Sequence, residues 1–129
     1  KMEFLKELQE KQKALLERLD VSVTGFDDRF RKSNMAKHWK DYVEKWHKEY
    51  ILAMHAELSE LLEWANWKHW KTEKVEYTDE RINEIHIELI DILHFWTNLC
   101  IVWSLTPERI IELYREKNIK NHKRQDKGY

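Results

Sequence analysis

Apolar residues recur at three- and four-residue steps along most of the chain, the period of a helix with one buried face. Over residues 2–19 they are Phe4, Leu5, Leu8, Leu15, Leu16 and Leu19, a stripe with a gap in its middle. Residues 20–34 lose the period and carry Gly25 among Ser, Thr and Asp, which predicts a loop with at most a short helix near 26–30. From Met35 the helical pattern resumes through Trp39, Tyr42, Val43, Trp46 and Tyr50, and is expected to run, with a break, to about Trp67. Residues 71–77 are polar and read as a connector. Thr78 then offers an N-cap, followed by Asp79 and Glu80 where the positive helix end favours acids, and the helix should reach about Trp103. Thr106, Pro107 and Glu108 are a cap, a first-turn proline and an acidic first turn for a last helix to about Asn118, with a basic tail to Tyr129.

Composition narrows the class. Two Gly and one Pro in 129 residues leave little turn chemistry for a sheet, so the fold is expected to be all-α, a bundle of about four to five helices. The length suits one domain over residues 1–129. Seven Trp, five Tyr and four Phe are many for a plain bundle and point to a large core, an interface, or a pocket for a flat ring. A formal net charge of −1 argues against general nucleic-acid binding. The single Cys100 cannot form an intrachain disulfide and suits a reducing compartment. No signal peptide or membrane span is evident, so the expected location is cytoplasmic.

The charge pattern adds the candidate chemistry. Residues 51–67 carry three formal charges, Glu57, Glu60 and Glu63, and residues 85–103 carry two, Glu88 and Asp91. At the chain-wide 36% charged, about six or seven would be expected in each, so these are read as the most buried helices. All surviving charges are acidic, with no Lys or Arg in either segment to pair them. Residues three apart share a helix face, so Glu57 with Glu60, and Glu88 with Asp91, form two carboxylate pairs. An unpaired buried carboxylate is costly unless it takes a proton or a cation. Four converging on antiparallel helices would suit a hard ion such as Mg²⁺. Either pair alone is more often a solvated helix face; two pairs in the most apolar segments favour a metal site. Glu63 reads as a rim residue.

Glu57-x-x-Glu60, then 27 residues, then Glu88-x-x-Asp91 resembles the ExxE…ExxD signature of the all-α nucleotide pyrophosphatases, the MazG-like superfamily. Three further stretches resemble the dimeric dUTPases in particular: Trp67-Lys68-His69-Trp70-Lys71, the run from Glu88 to Phe95, and the tail with Tyr114, Lys117, Asn118, Asn121, Arg124, Gln125, Gly128 and Tyr129. The resemblance implies Mg²⁺ (with Mn²⁺ as substitute) held by Glu57, Glu60, Glu88 and Asp91. It also implies hydrolysis of a nucleoside triphosphate, dUTP first, to the monophosphate and pyrophosphate. One glutamate of the first pair would take the water's proton. Lys68, Lys71, Lys117, Asn118, Asn121 and Arg124 would hold phosphates, less firmly Lys120, Lys123 and Lys127. Residues 115–129, ending at Tyr129, would stay mobile until the nucleotide arrives. Gln9 matches the family's base-reading Gln, while Lys13 stands where the family carries Asn. Trp67 would stack on the base and Asn98, on the face of Asp91, could reach the nucleotide. The resemblance further implies a bundle completed in a homodimer, with Trp39, Tyr42, Trp46 and Tyr50 as the candidate interface; the alternative is that they pack internally.

Other readings give different expectations. Glu44-x-x-His47 and Asp91-x-x-His94 have the Glu-x-x-His spacing of di-iron bundles, though no second ligand set repeats it. A non-catalytic helical interaction module would not need the four acids. A sister pyrophosphatase would take dCTP or a non-standard nucleotide instead of dUTP.

Overall fold

The computed structural model describes residues 2–128, with Tyr129 of the expected tail outside the described residues. Four helices follow in order: α1 (Met2–Arg18), α2 (Ala36–Glu63), α3 (Asp79–Val102) and α4 (Pro107–Asp126), with two 3₁₀ turns, Val23–Phe26 and Asp28–Lys32, between α1 and α2. The described residues contain no strand, and the fold is an all-α bundle.

Local chemistry sets the helix ends. The Thr78 hydroxyl accepts from the Arg81 N–H and opens α3, and the Thr106 hydroxyl accepts from the Arg109 N–H ahead of Pro107 and opens α4. The C-termini of α1 and α3 close in the same way. Val21 N–H donates to Leu16 C=O and Asp20 N–H to Glu17 C=O, while Leu105 N–H donates to Cys100 C=O and Ser104 N–H to Ile101 C=O. Each is a Schellman turn whose left-handed residue is not glycine, Asp20 at φ 62° and Ser104 at φ 54°. Two spans differ from the sequence expectation. α2 runs unbroken and ends at Glu63, so Trp67 lies on the connector, and α4 continues past Asn118 to Asp126.

The core sits at one end of the molecule. Leu16, Val21, Phe26, Val43, Tyr50, Ile101 and Val102 are buried together, with Trp39, Tyr42, Trp46, Phe95 and Leu99 packed around them. The aromatic stripe of α2 is therefore internal. Tyr42 stacks on Phe26, Trp46 stacks on Tyr50, and Trp39 meets Trp103 edge-on. This corrects its expected use as a dimer interface, because the 3₁₀ turns and the C-terminal end of α3 already cover it. Cys100 lies in the same region, and burial pushes its thiol up to about 11. The gap in the α1 stripe also has an explanation. Gln9 and Gln12 are buried there, Gln9 Nε2 donating to Leu105 C=O at 2.8 Å and Gln12 Nε2 to Asn98 Oδ1 at 2.8 Å.

α2 and α3 form an antiparallel hairpin, with Tyr50 beside Phe95 at one end and Arg81 against the Trp64 carbonyl at the other. No residue between Tyr50 and Thr97 is fully buried. Leu58, Leu62, Ile87, Leu89 and Ile90 are 45–51% exposed. Residues 51–67 are thus not among the most buried within one chain, contrary to expectation. Residues 85–103 are the most buried stretch, as expected, but only at their C-terminal end, through Thr97, Asn98, Cys100, Ile101 and Val102, because α1 reaches only the far end of the hairpin. The backbone of α4 approaches α1 alone among the helices, and everything in it from Tyr114 to Asp126 is exposed. By length and composition α3 is apolar enough to cross a membrane. Its partners α1 and α2, and the two acids at its middle, account for that character in a bundle helix.

Candidate metal centre and cationic cleft

The exposed-faced half of the hairpin carries the acids. Glu57 on α2 and Glu88 and Asp91 on α3 each present an oxygen, and the three lie within 4.8 Å of one another. Glu57 Oε2 and Glu88 Oε2 are shut from solvent with no donor facing them. Such acceptors need a shared proton or a cation. The proton alternative is visible at Glu57, whose carboxyl is pushed up to about 7, first by hydrogen bonding to Glu88, then by burial and by the charges of Glu60, Glu88 and Asp91. Glu60 lies one turn along α2, exposed and outside the three-carboxylate group, though its charge is felt at Glu57. The donors are all oxygen, which fits a hard divalent cation such as Mg²⁺. No histidine belongs to this group: His47 Nδ1 instead accepts from Trp103 Nε1 at 2.9 Å. The di-iron pattern is therefore not assembled among the described residues.

Beyond the acids, the connector between α2 and α3 forms a cleft of about 280 Å³ lined by Glu63, Trp67, Lys68, Lys71, Lys74 and Arg81 among others. Trp67 meets Trp70 edge-on, donates from Nε1 to Glu63 Oε1 at 3.3 Å, and has the Lys68 ammonium over its ring at 5.4 Å. Three of the expected residues, Trp67, Lys68 and Lys71, thus share one cleft, and Glu63 is exposed at its rim.

The remaining expected residues lie elsewhere. Asn98 is buried and its Oδ1 is engaged by Gln12, which explains a polar residue on the Asp91 face without a ligand. Gln9 is likewise buried, bonded to the Leu105 carbonyl, and borders a separate cleft of about 340 Å³ with Lys13. Lys117, Asn118, Asn121 and Arg124 are all exposed on α4, whose backbone approaches neither α2 nor α3, so the structure does not bring them to the acids. Lys117 borders an apolar groove with Trp96 and Tyr114, and Arg124 borders a basic one with Lys120, Lys123 and Lys127. Sequence reasoning missed Gln12, whose signal was its three-residue step from Gln9 inside an apolar stripe. It also missed Asn66 and Arg81, which carry no periodic signal and act through the connector.

Fold and site together define an all-α protein with three carboxylates converging between two antiparallel helices, an oxygen-only set able to hold a cation, and a cationic cleft beyond them. The chain belongs to the dUTPase family, whose model matches residues 4–109, through α3 and into the first turn of α4. It is 35% identical over 91 residues to a dCTP pyrophosphatase of Enterobacteria phage T4, covering 70% of this chain and 42% of that protein. It is 48% identical over 46 residues to a dCTP pyrophosphatase of Enterobacteria phage LZ5, covering 36% of this chain and 27% of that protein. The matched region therefore spans less than half the length of either relative. No solved structure matches the chain.

Proposed function

We propose that this chain is a divalent-metal-dependent pyrophosphatase of pyrimidine deoxynucleoside triphosphates, releasing the monophosphate and pyrophosphate. The observation that carries this reading is the convergence of Glu57, Glu88 and Asp91, with two donorless buried oxygens, in a member of the dUTPase family. These three carboxylates would hold Mg²⁺, or Mn²⁺ in its place, which supplies charge neutralisation and Lewis acidity to the triphosphate. Glu60, exposed and outside the three, is the carboxylate left to accept a proton from the attacking water. The water oxygen bonds to phosphorus, the bond to the leaving pyrophosphate breaks, and the water's proton passes to Glu60. Lys68 and Lys71 bind phosphate oxygens as point charges, and Trp67 presents its ring to the base.

The family description favours dUTP as the base choice; the phage relatives favour dCTP as a second reading. Pyrophosphate release from a panel of the deoxynucleoside triphosphates with Mg²⁺ decides between them, and release from none would overturn the proposal. In the same assay Asp91→Asn should lose divalent-ion affinity and turnover together. Glu60→Gln should keep the affinity and lose roughly 10²–10⁴-fold in turnover, the ordinary contribution of a general base.

The working unit is proposed to be a homodimer in which a second copy covers the exposed apolar face of the α2–α3 hairpin. Single exposed apolar residues are ordinary, but Leu58, Leu62, Ile87, Leu89 and Ile90 fall on the two helices that bear the metal centre.

A further inference from the structure

The fifteen residues between α2 and α3, 64–78, hold no helix and are almost all exposed, the profile of a mobile loop. A set of side-chain bonds nevertheless fixes their path. The Asn66 side chain binds both main-chain groups of Val75, nine residues on: Nδ2 donates to the Val75 carbonyl at 2.8 Å and Oδ1 accepts from the Val75 N–H at 2.9 Å. This amide copies one rung of a β-ladder, and because the two bonds have opposite polarity they fix its orientation. The Asn66 main-chain N–H donates to the Tyr77 hydroxyl oxygen at 3.0 Å. Lys74 Nζ reaches back to the Lys68 carbonyl at 3.0 Å. At the base of the loop Arg81 Nε donates to the Trp64 carbonyl at 2.7 Å and its guanidinium lies 5.0 Å from the Trp64 ring centre, which ties the start of α3 to the end of α2. The ring so closed contains Trp67, Lys68 and Lys71, and among the described residues neither lysine has a carboxylate at ion-pair distance.

We infer that Asn66 is a positioning residue: by clasping Val75 it preforms the connector as a cradle in which Lys68 and Lys71 receive the phosphates of a substrate anchored at Glu57, Glu88 and Asp91. The inference rests on the pyrophosphatase reading and deepens it. The placement is coherent, since the cleft reaches Glu63 and Arg81, about 9 Å and about 10.5 Å along their helices from Glu57 and Glu88. Lysine side chains and a triphosphate chain bridge that span between them. Without the clasp, ordering the loop falls to the binding step, so the effect appears in affinity rather than in chemistry.

The test uses the full chain with Asn66→Ala and, separately, Tyr77→Phe, which removes only the hydroxyl that Asn66 donates to. Steady-state kinetics on the best triphosphate are combined with calorimetric titration of inorganic pyrophosphate, melting curves, and hydrogen exchange of residues 66–77. Asn66→Ala should raise KM and the pyrophosphate Kd together by about tenfold, the equivalent of 1.4 kcal/mol, with kcat falling far less. Its connector amides should exchange faster, its melting temperature should stay near that of wild type, and Tyr77→Phe should shift the same quantities by less. A KM and pyrophosphate affinity equal to wild type in both variants would overturn the clasp, as would a fall in kcat at constant KM. The two readings separate cleanly. Wild-type hydrolysis with an indifferent Asn66→Ala removes the clasp alone. Pyrophosphate binding sensitive to Asn66, in a protein that hydrolyses no triphosphate, removes the enzymatic reading and leaves the cradle.

Discussion

Glu57 illustrates how a single carboxyl reports on its surroundings. Its folded-state value of about 7 stands above the ordinary 4.5, so the folded chain holds a proton that the unfolded chain has released. That contribution to stability is fully present below 4.5 and is lost as pH rises through 7. In chelator-treated protein, wild type should therefore lose more melting temperature than Glu57→Gln between about pH 5 and 8; parallel curves would show that the three carboxylates do not share a site. Gly25 is the opposite case, a residue fixed by space. A Cβ there would meet Tyr42 Cε2 at 2.5 Å and Cδ2 at 2.7 Å. That ring cannot swing away freely, since it stacks on Phe26 and its hydroxyl donates to the Ser22 carbonyl. Gly25→Ala should destabilise by about 1–3 kcal/mol in denaturant unfolding, the ordinary cost of overpacking. The acids were legible in the sequence because charge was scarce around them. Gln9 and Gln12 were not, because a buried amide and an exposed one look alike until a partner from a distant part of the chain, here Leu105 or Asn98, is in place.

Among the elements, the helices with side-chain caps were the most legible. Thr78 and Thr106 announce α3 and α4, and both caps form as expected. The end of α4 was not legible: polar residues after Asn118 carry no apolar period, yet nothing there breaks a helix either, and it runs to Asp126. This last stretch is where propensity and packing part company. An isolated segment of this length is marginal in water, and the outer half of α4 has no tertiary contact to support it. Its cations gain partners only if a polyanion reaches them. Deleting residues 121–129 should leave the melting temperature of the ligand-free protein within a degree or two, as expected for a segment that buries nothing. If the segment closes over the triphosphate, the same deletion cuts turnover sharply; unchanged turnover would assign it no part in the reaction. The connector was illegible for another reason, since its order comes from Asn66 and Arg81 reaching main-chain atoms, contacts that leave no pattern in residue type.

At the scale of the whole molecule the packing is lopsided. Buried side chains gather where α1, the 3₁₀ turns and the C-terminal end of α3 meet, while the half bearing Glu57, Glu88 and Asp91 is one layer thick. Residues 51–67 and 85–103 are alike in their scarcity of charge, and only the placement of α1 reveals which stretch a single chain covers. Ile90→Glu, at a position 51% exposed, should be neutral in an isolated chain and should shift a proposed dimer to monomer in light scattering. Wild-type monomer at all concentrations would remove the dimer. Divalent ions should raise the melting temperature by relieving repulsion among the acids, through mass action on the folded state. The packed end also holds the chain's single thiol. Cys100 is 4% exposed, with its proton held up to about 11, so although it borders the cleft beside Gln9 its thiol is a slow nucleophile at neutral pH. Its alkylation should quicken when that end opens, which makes this one sulfur a built-in clock. Added Mg²⁺ that slows the labelling would show that tension at the thin half is transmitted to the thick one; an unchanged rate would show that the two halves of the same helix pair open independently.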